Sequence, residues 1–279
     1  MSDIPLRASE DLPVGSAVDP TSVTAELGAT GPAIRRGVPP VAILRWLGAG
    51  IADFRRSPMP SLAVGLVCTV LSWAMVGAIV AADYAVMILP LTAGFMFAAP
   101  LLAVGLYEGS RRHAINEPVT LDATRAALAR NPSQIAFMGA LLMLFLYGWM
   151  RIATLIFALF FGLELPPLGR FLSTAFLAPE NLDFAVTGIG VGAVMAAIVF
   201  GLSALSLPML VDRPMDAITA AITSMRACIA NPVTMALWAA IIVGLTVVAA
   251  LPGFLGFIVV LPVVGHATWH AYRDLVEPP

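Results

Sequence analysis

Three times in this chain a short amphipathic stretch ends at Ser-Pro or Asn-Pro and two long apolar spans follow. The junctions are Ser57-Pro58, Asn131-Pro132 and Asn231-Pro232. Proline disfavours helix at the residue before it and suits the first turn of a new helix, so each junction stops one helix, turns the chain and starts another. A helix needs about 20 apolar residues to cross the hydrocarbon core. The pattern therefore predicts an all-α membrane protein with six transmembrane helices, arranged as three repeats of a cytoplasmic amphipathic helix plus a transmembrane hairpin. The expected spans are 61–82, 84–107, 134–160, 185–211, 233–250 and 253–272. Only the turn signal Leu251-Pro252-Gly253 separates the last two.

Composition supports the membrane reading. Hydrophobic residues make up 59% and charged residues 11%, against about 45–50% and about 25% in soluble domains. Mean hydropathy is +0.92, more apolar surface than a water-soluble fold can hide. The net charge of −2 gives no case for nucleic-acid binding. All fifteen basic residues are Arg, which removes lysine chemistry such as a Schiff base or a phosphate-loop lysine. The two cysteines, Cys68 and Cys228, are too few for a metal site and are expected to act as small apolar residues.

Residues 1–40 are rich in Pro, Ser, Ala, Gly and acids without apolar periodicity, and read as a disordered cytoplasmic tail. Residues 41–275 read as one transmembrane domain with repeat units of about 41–110, 118–213 and 214–275. The unequal spacing comes mainly from a longer segment around 163–183. In the first amphipathic stretch, Ile43, Leu47, Ile51 and Phe54 form the apolar stripe, with Arg45, Asp53, Arg55 and Arg56 away from it. In the second, Thr120 can cap a helix running through Ala127 to Arg130. The third is expected to open at Pro214, after Asp212 or Arg213, with Ile218, Ala221, Ile222, Met225 and Ile229 as its stripe. Such helices can lie in the interface or pack under the bundle.

Arginines set the expected orientation. Arg45, Arg55, Arg56, Arg111, Arg112, Arg125, Arg130, Arg213, Arg226 and Arg273 all flank spans on one side. The positive-inside rule makes that side cytoplasmic, with both termini, in a bacterial inner membrane.

Few residues suggest chemistry, and no catalytic or cofactor-binding residue is expected. Arg151 interrupts the third span about 26 Å from Gln134. It reads as an interfacial residue beside the anchors Tyr147 and Trp149, with a buried partner such as Glu164 or a gating role as alternatives. His266 and His270 share a helix face and are weak metal candidates, too few for a structural zinc site; their neighbourhood reads as a membrane boundary. His113 follows Arg111-Arg112 and is expected to be solvated. Gly188, Gly192 and Ala196 form a small-xxx-small ridge for close helix approach. Pro90, Pro100, Pro208 and Pro262 can kink helices for packing, or expose carbonyls as in transporters. No phosphate-binding glycine loop, nucleophile elbow or catalytic carboxylate pair is evident.

The stretch Ser206-Leu-Pro-Met-Leu-Val-Asp-Arg-Pro-Met-Asp-Ala217 brings together Pro208, Asp212, Arg213 and Asp216. With Trp46-Leu47, Pro100-Leu-Leu-Ala-Val-Gly-Leu-Tyr107, Arg111-Arg112 and the run Leu261 to Arg273, it resembles a bacterial integral-membrane domain-of-unknown-function family. Members of that family are sometimes labelled cytochrome c oxidase subunit I. A catalytic haem–copper subunit needs about six histidine ligands in transmembrane helices, and this chain has three histidines, so a catalytic oxidase is rejected. The resemblance implies no activity and no site residues. The leading expectation is a non-enzymatic scaffold, assembly or accessory protein, with a respiratory complex as its candidate neighbour. Its partners would be the lipid bilayer and another membrane protein or a second copy. The rival is a transporter or channel for a small or lipid-like solute.

Overall fold

The computed structural model describes residues 31–82, 88–162 and 178–278. Among them lie eleven α-helices: α1 (Ala42–Arg56), α2 (Pro58–Ala81), α3 (Ile88–Leu102), α4 (Val104–Ala114), α5 (Leu121–Arg130), α6 (Pro132–Phe161), α7 (Leu182–Ser203), α8 (Ser206–Asp212), α9 (Ala217–Ala230), α10 (Pro232–Ala250) and α11 (Phe257–Leu275). A 3-10 turn, Pro179–Asn181, leads into α7. The described residues form no sheet, only one isolated antiparallel bridge between Ile34 and Val276.

Four segments are long and apolar enough to cross a membrane: Pro58–Ala81, Pro132–Phe161, Pro179–Asp212 and Pro232–Ala250. The start of the second expected span falls at 83–87, outside the described residues. From Ile88 that span is broken at Ala103 into α3 and α4. The fourth is broken at Ala204 and Leu205, where Pro208 in α8 has no N–H to return to the Ala204 carbonyl. The expected Leu-Pro-Gly turn is present: α10 stops at Ala250, and Gly253 and Phe254 adopt φ of 63° and 66°.

The three proline junctions share one backbone shape. Ser57, Asn131 and Asn231 have φ/ψ of −135°/68°, −141°/54° and −134°/55°, each followed by Pro at the first helical position. The asparagine side chains do not cap their own helices. Asn131 Nδ2 instead donates to the Met215 carbonyl. Asn231 accepts from the Val38 N–H through Oδ1 at 2.9 Å and donates to the Arg35 carbonyl through Nδ2 at 2.9 Å.

That second set of bonds corrects the expected tail. Residues 1–30 lie outside the described residues, but 33–38 are held. Arg35 N–H donates to the Leu275 carbonyl, Glu277 N–H donates to the Ala33 carbonyl, and Val38 is buried.

The last helix is central: α11 packs most heavily on α1 and α2, and also on α4 and α10. Glycines permit this. A Cβ on Gly50 of α1 would come within 2.7 Å of Ala267 N and Val263 O, and one on Gly65 of α2 would overlap the Ile258 carbonyl. Pro262 takes from Ile258 its usual i+4 partner, so the freed carbonyl points at the one residue type that can approach it. α3 packs mainly on α6, so the helices of the first sequence pair each lean on another partner.

Two apolar stripes are corrected. The buried positions of α1 are Ala42, Ile43, Trp46, Gly50 and Asp53, while Ile51 is exposed. In α9 they are Ala217, Ala220, Ala221, Thr223, Ser224 and Ala227, with Ile218 and Ile229 exposed. α9 presses a face of small and polar groups onto the bundle and turns Ile218 and Ile229 outward, whereas α1 keeps Ile43 and Trp46 inward and adds Gly50 and Asp53 to that face. α9 also starts later than expected. Asp216, not Asp212 or Arg213, caps it by accepting from the Thr219 N–H at 2.8 Å, a bond that holds the Asp216 carboxyl below the usual range.

Candidate functional site

Two features adjoin: a polar network at the helix ends that carry the arginines, and an apolar cavity beside it. The network begins with Glu108 of α4, whose side chain is fully enclosed. Arg111 donates to it twice, through Nε at 2.8 Å and Nη2 at 3.0 Å. Arg112 Nε donates at 2.9 Å, and Arg130 of α5 at 2.6 Å. Arg130 also reaches the Val211 carbonyl of α8. Burial alone would raise the Glu108 carboxyl, but the bonds from Arg111, Arg130 and Arg112 outweigh it and hold the group below its ordinary range.

Asp53 of α1 is the second node, and all three histidines surround it. His270 Nε2 lies 2.8 Å from Oδ2 and His113 Nδ1 lies 3.1 Å from Oδ1. His266 sits between two hydroxyls, with Nδ1 2.8 Å from Ser110 Oγ and Nε2 3.0 Å from Ser61 Oγ. Burial would raise the Asp53 carboxyl, but hydrogen bonds from His270 and Ser110 and the charge of His270 more than offset it. The result is a hydrogen-bonded relay joining α1, α2, α4 and α11. It corrects two expectations: His113 is mostly buried rather than solvated, and Asp53 faces inward. Of the two metal candidates, His266 faces the Ser110 and Ser61 hydroxyls and His270 faces Asp53. No group of three or more metal-ligating side chains is assembled among the described residues.

The expected Asp212 and Arg213 form a third node. Tyr272 OH donates to Asp212 Oδ2 at 2.7 Å, Arg213 Nε donates to the Tyr272 oxygen at 2.7 Å, and Arg273 lies 3.2 Å from the same carboxylate. Arg213 also donates to the Glu277 carbonyl. Asp274 gathers Arg35, Arg45 and the indole N–H of Trp46.

The cavity has a volume of about 810 Å³ and lies among α2, α3, α4, α6, α7, α10 and α11. Its wall runs along α7 from Phe184 to Ser203, about 28 Å of helix and close to the roughly 30 Å hydrocarbon thickness. The small ridge on α7 packs closely, since a Cβ on Gly192 would come within 3.0 Å of the Trp149 ring, and it also borders this space. Gly188, Gly192 and Ala196 all line it, and a Cβ on Gly188 would meet nothing within 4 Å. Pro90 and Pro100 line it too.

The lining is almost wholly apolar, and most polar groups in it bond to nearby helix backbone. Ser203, Thr246 and Thr268 donate to Val199, Ile242 and Val264 carbonyls, and Trp149 Nε1 donates to Pro90 O at 2.9 Å. Trp149 is thus a buried wall residue, not the interfacial anchor expected, whereas Tyr147 is exposed. Arg151 is exposed and lies outside the cavity wall; its suggested partner Glu164 lies outside the described residues.

Sequence reasoning missed Glu108 and Asp53 as structural nodes. Glu108 had a signal: Arg111 and Arg112 stand at i+3 and i+4 from it, the spacing that brings helix side chains together.

Comparison with curated proteins and with solved structures found no match. Residues 88–212, from α3 through α8, match the model of a family described as "Predicted integral membrane protein (DUF2189)". The match covers 125 of the 279 residues and makes this central segment similar to that family of predicted integral membrane proteins.

Proposed function

We propose that this is a non-enzymatic integral membrane protein that accommodates a lipid-like molecule between its helices, to hold it or to let it pass. The carrying observation is the cavity: about 810 Å³, elongated, and bounded almost entirely by apolar side chains. Ligand pockets usually span about 300–1,000 Å³. A polar path would have favoured an ion or a hydrophilic solute; this wall suits an apolar body. The test is extraction and mass spectrometry of lipid retained by the protein after mild-detergent purification, compared with Gly188→Leu. The variant adds bulk where the structure has room, so it should keep its fold and lose the lipid. Equal retention would count against the reading.

The competing scaffold or accessory role draws support from α9, which turns Ile218 and Ile229 outward. It predicts a stoichiometric protein partner on purification from the native host, a respiratory complex if the oxidase label has substance.

The repeat and its orientation belong to the same proposal. Matching backbone angles at the three junctions support a threefold unit. Arginines gathered at one set of helix ends support a cytoplasmic location for both termini in the bacterial inner membrane.

A further inference from the structure

We infer that the cavity selects a neutral long-chain lipophile carrying one oxygen acceptor, a carbonyl or hydroxyl, and that Tyr107 binds that oxygen. The inference rests on the cavity-binding reading and names its ligand class. Tyr107 lines the cavity and is 3% exposed. Among the described residues its hydroxyl makes no hydrogen bond. A hydroxyl without a partner on a residue this buried is uncommon and calls for an explanation. The other hydroxyls of the wall are already bonded to their own helices. Cys68 offers only a weak thiol donor, and the indole N–H of Trp238 is sealed off without a partner. A water molecule is a poor occupant, because it needs two to four polar partners and this wall supplies one free hydroxyl.

Position and charge narrow the class. Tyr107 precedes Glu108, so it stands at the cavity end next to the arginine network, and the wall extends from there for most of a membrane thickness. A single chain with its head at Tyr107 fits that length. No charged side chain lines the cavity; the nearest arginines, Arg111, Arg112 and Arg130, are bound to Glu108. A carboxylate or phosphate head would therefore be buried without a counter-ion, which is costly. The head is neutral.

The test uses the full chain in detergent with Trp73→Phe, which removes an exposed tryptophan; of the four that remain, Trp149 and Trp238 line the cavity and Trp46 and Trp269 are buried away from its wall. Quenching is titrated with three probes of equal length: a brominated long-chain methyl ketone, the matching bromoalkane and the matching bromo fatty acid. The ketone should bind roughly three- to tenfold more tightly than the alkane, and Tyr107→Phe should erase that difference while leaving alkane binding unchanged. A long-chain alcohol and a prenyl quinone as competitors then separate the two sources of a neutral oxygen. Equal binding of ketone and alkane, or tighter binding of the fatty acid, overturns this inference but leaves the cavity reading intact. Failure of all three probes overturns both.

Discussion

His270 Nε2 lies 2.8 Å from the Asp53 carboxylate, a contact between the last helix and the first across 217 residues of sequence. His113 approaches the same carboxylate from α4. The three helices are thus tied at one buried anion. Asp53→Ala should cost about 1–3 kcal/mol, because His270 and Ser110 lose the carboxylate that accepts their hydrogen bonds. Arg55→Ala, at an exposed position two residues on, should stay within about 0.5 kcal/mol. Equilibrium unfolding in detergent checks the pair.

Glu108 predicts acid lability. Its carboxyl and that of Asp53 are both held below their ordinary values. A carboxyl depressed in the folded state contributes its full stability above the unfolded value, about 4. That stability is lost as pH falls through the folded value. Melting temperature should therefore be insensitive to these groups at neutral pH and fall progressively below about pH 4. Glu108→Gln should be destabilised at neutral pH and show a flatter acid limb. A variant with an unchanged limb would show that other groups carry the acid response.

Gly65→Ala should destabilise by about 1–3 kcal/mol, the usual cost of overpacking, because the added methyl meets backbone that cannot swing aside. Gly77→Ala on the same helix meets nothing within 4 Å and should be neutral or slightly stabilising. Thermal unfolding of the two variants side by side separates the backbone contact from helix propensity.

The helical character and the long apolar helices were legible because their signals are local. Proline after Ser or Asn, a run of about 20 apolar residues and a Leu-Pro-Gly turn each act through neighbouring residues, and α2, α6 and α10 begin and end close to where those signals put them. The site was not legible, because it depends on which helix lies beside which. Asp53 and His270 have no sequence relationship, and the inward face of α1 joins the apolar Ile43 and Trp46 to Gly50, which meets the α11 backbone, and to Asp53. A stripe of small residues on α7 signals close packing in sequence; Gly192 packs on Trp149 in that way, and the same stripe also forms the wall of a cavity. Only Glu108, with arginines at i+3 and i+4, could have been read directly.

Asn231 holds the segment 33–38 through the Val38 N–H and the Arg35 carbonyl, with Thr234 adding a bond to the Val38 carbonyl at 2.6 Å. Asn231→Ala should speed amide exchange at Val38 and open protease cleavage near Arg35 and Arg36, with a global cost of about 1–3 kcal/mol. Asn131→Ala, which loses a bond to Met215 instead, should leave that segment protected.

The cavity claim is tested most directly by photo-crosslinking the intact protein in a bilayer with a neutral long-chain ketone bearing a diazirine on its tail, then mapping the adducts. Trp149, Phe184 and Phe200 line the cavity, whereas Leu144, Leu159 and Val186 are exposed on helix surfaces. The account predicts adducts at Trp149, Phe184 and Phe200 that disappear in Gly188→Leu. Adducts confined to Leu144, Leu159 and Val186, unchanged in that variant, would contradict it.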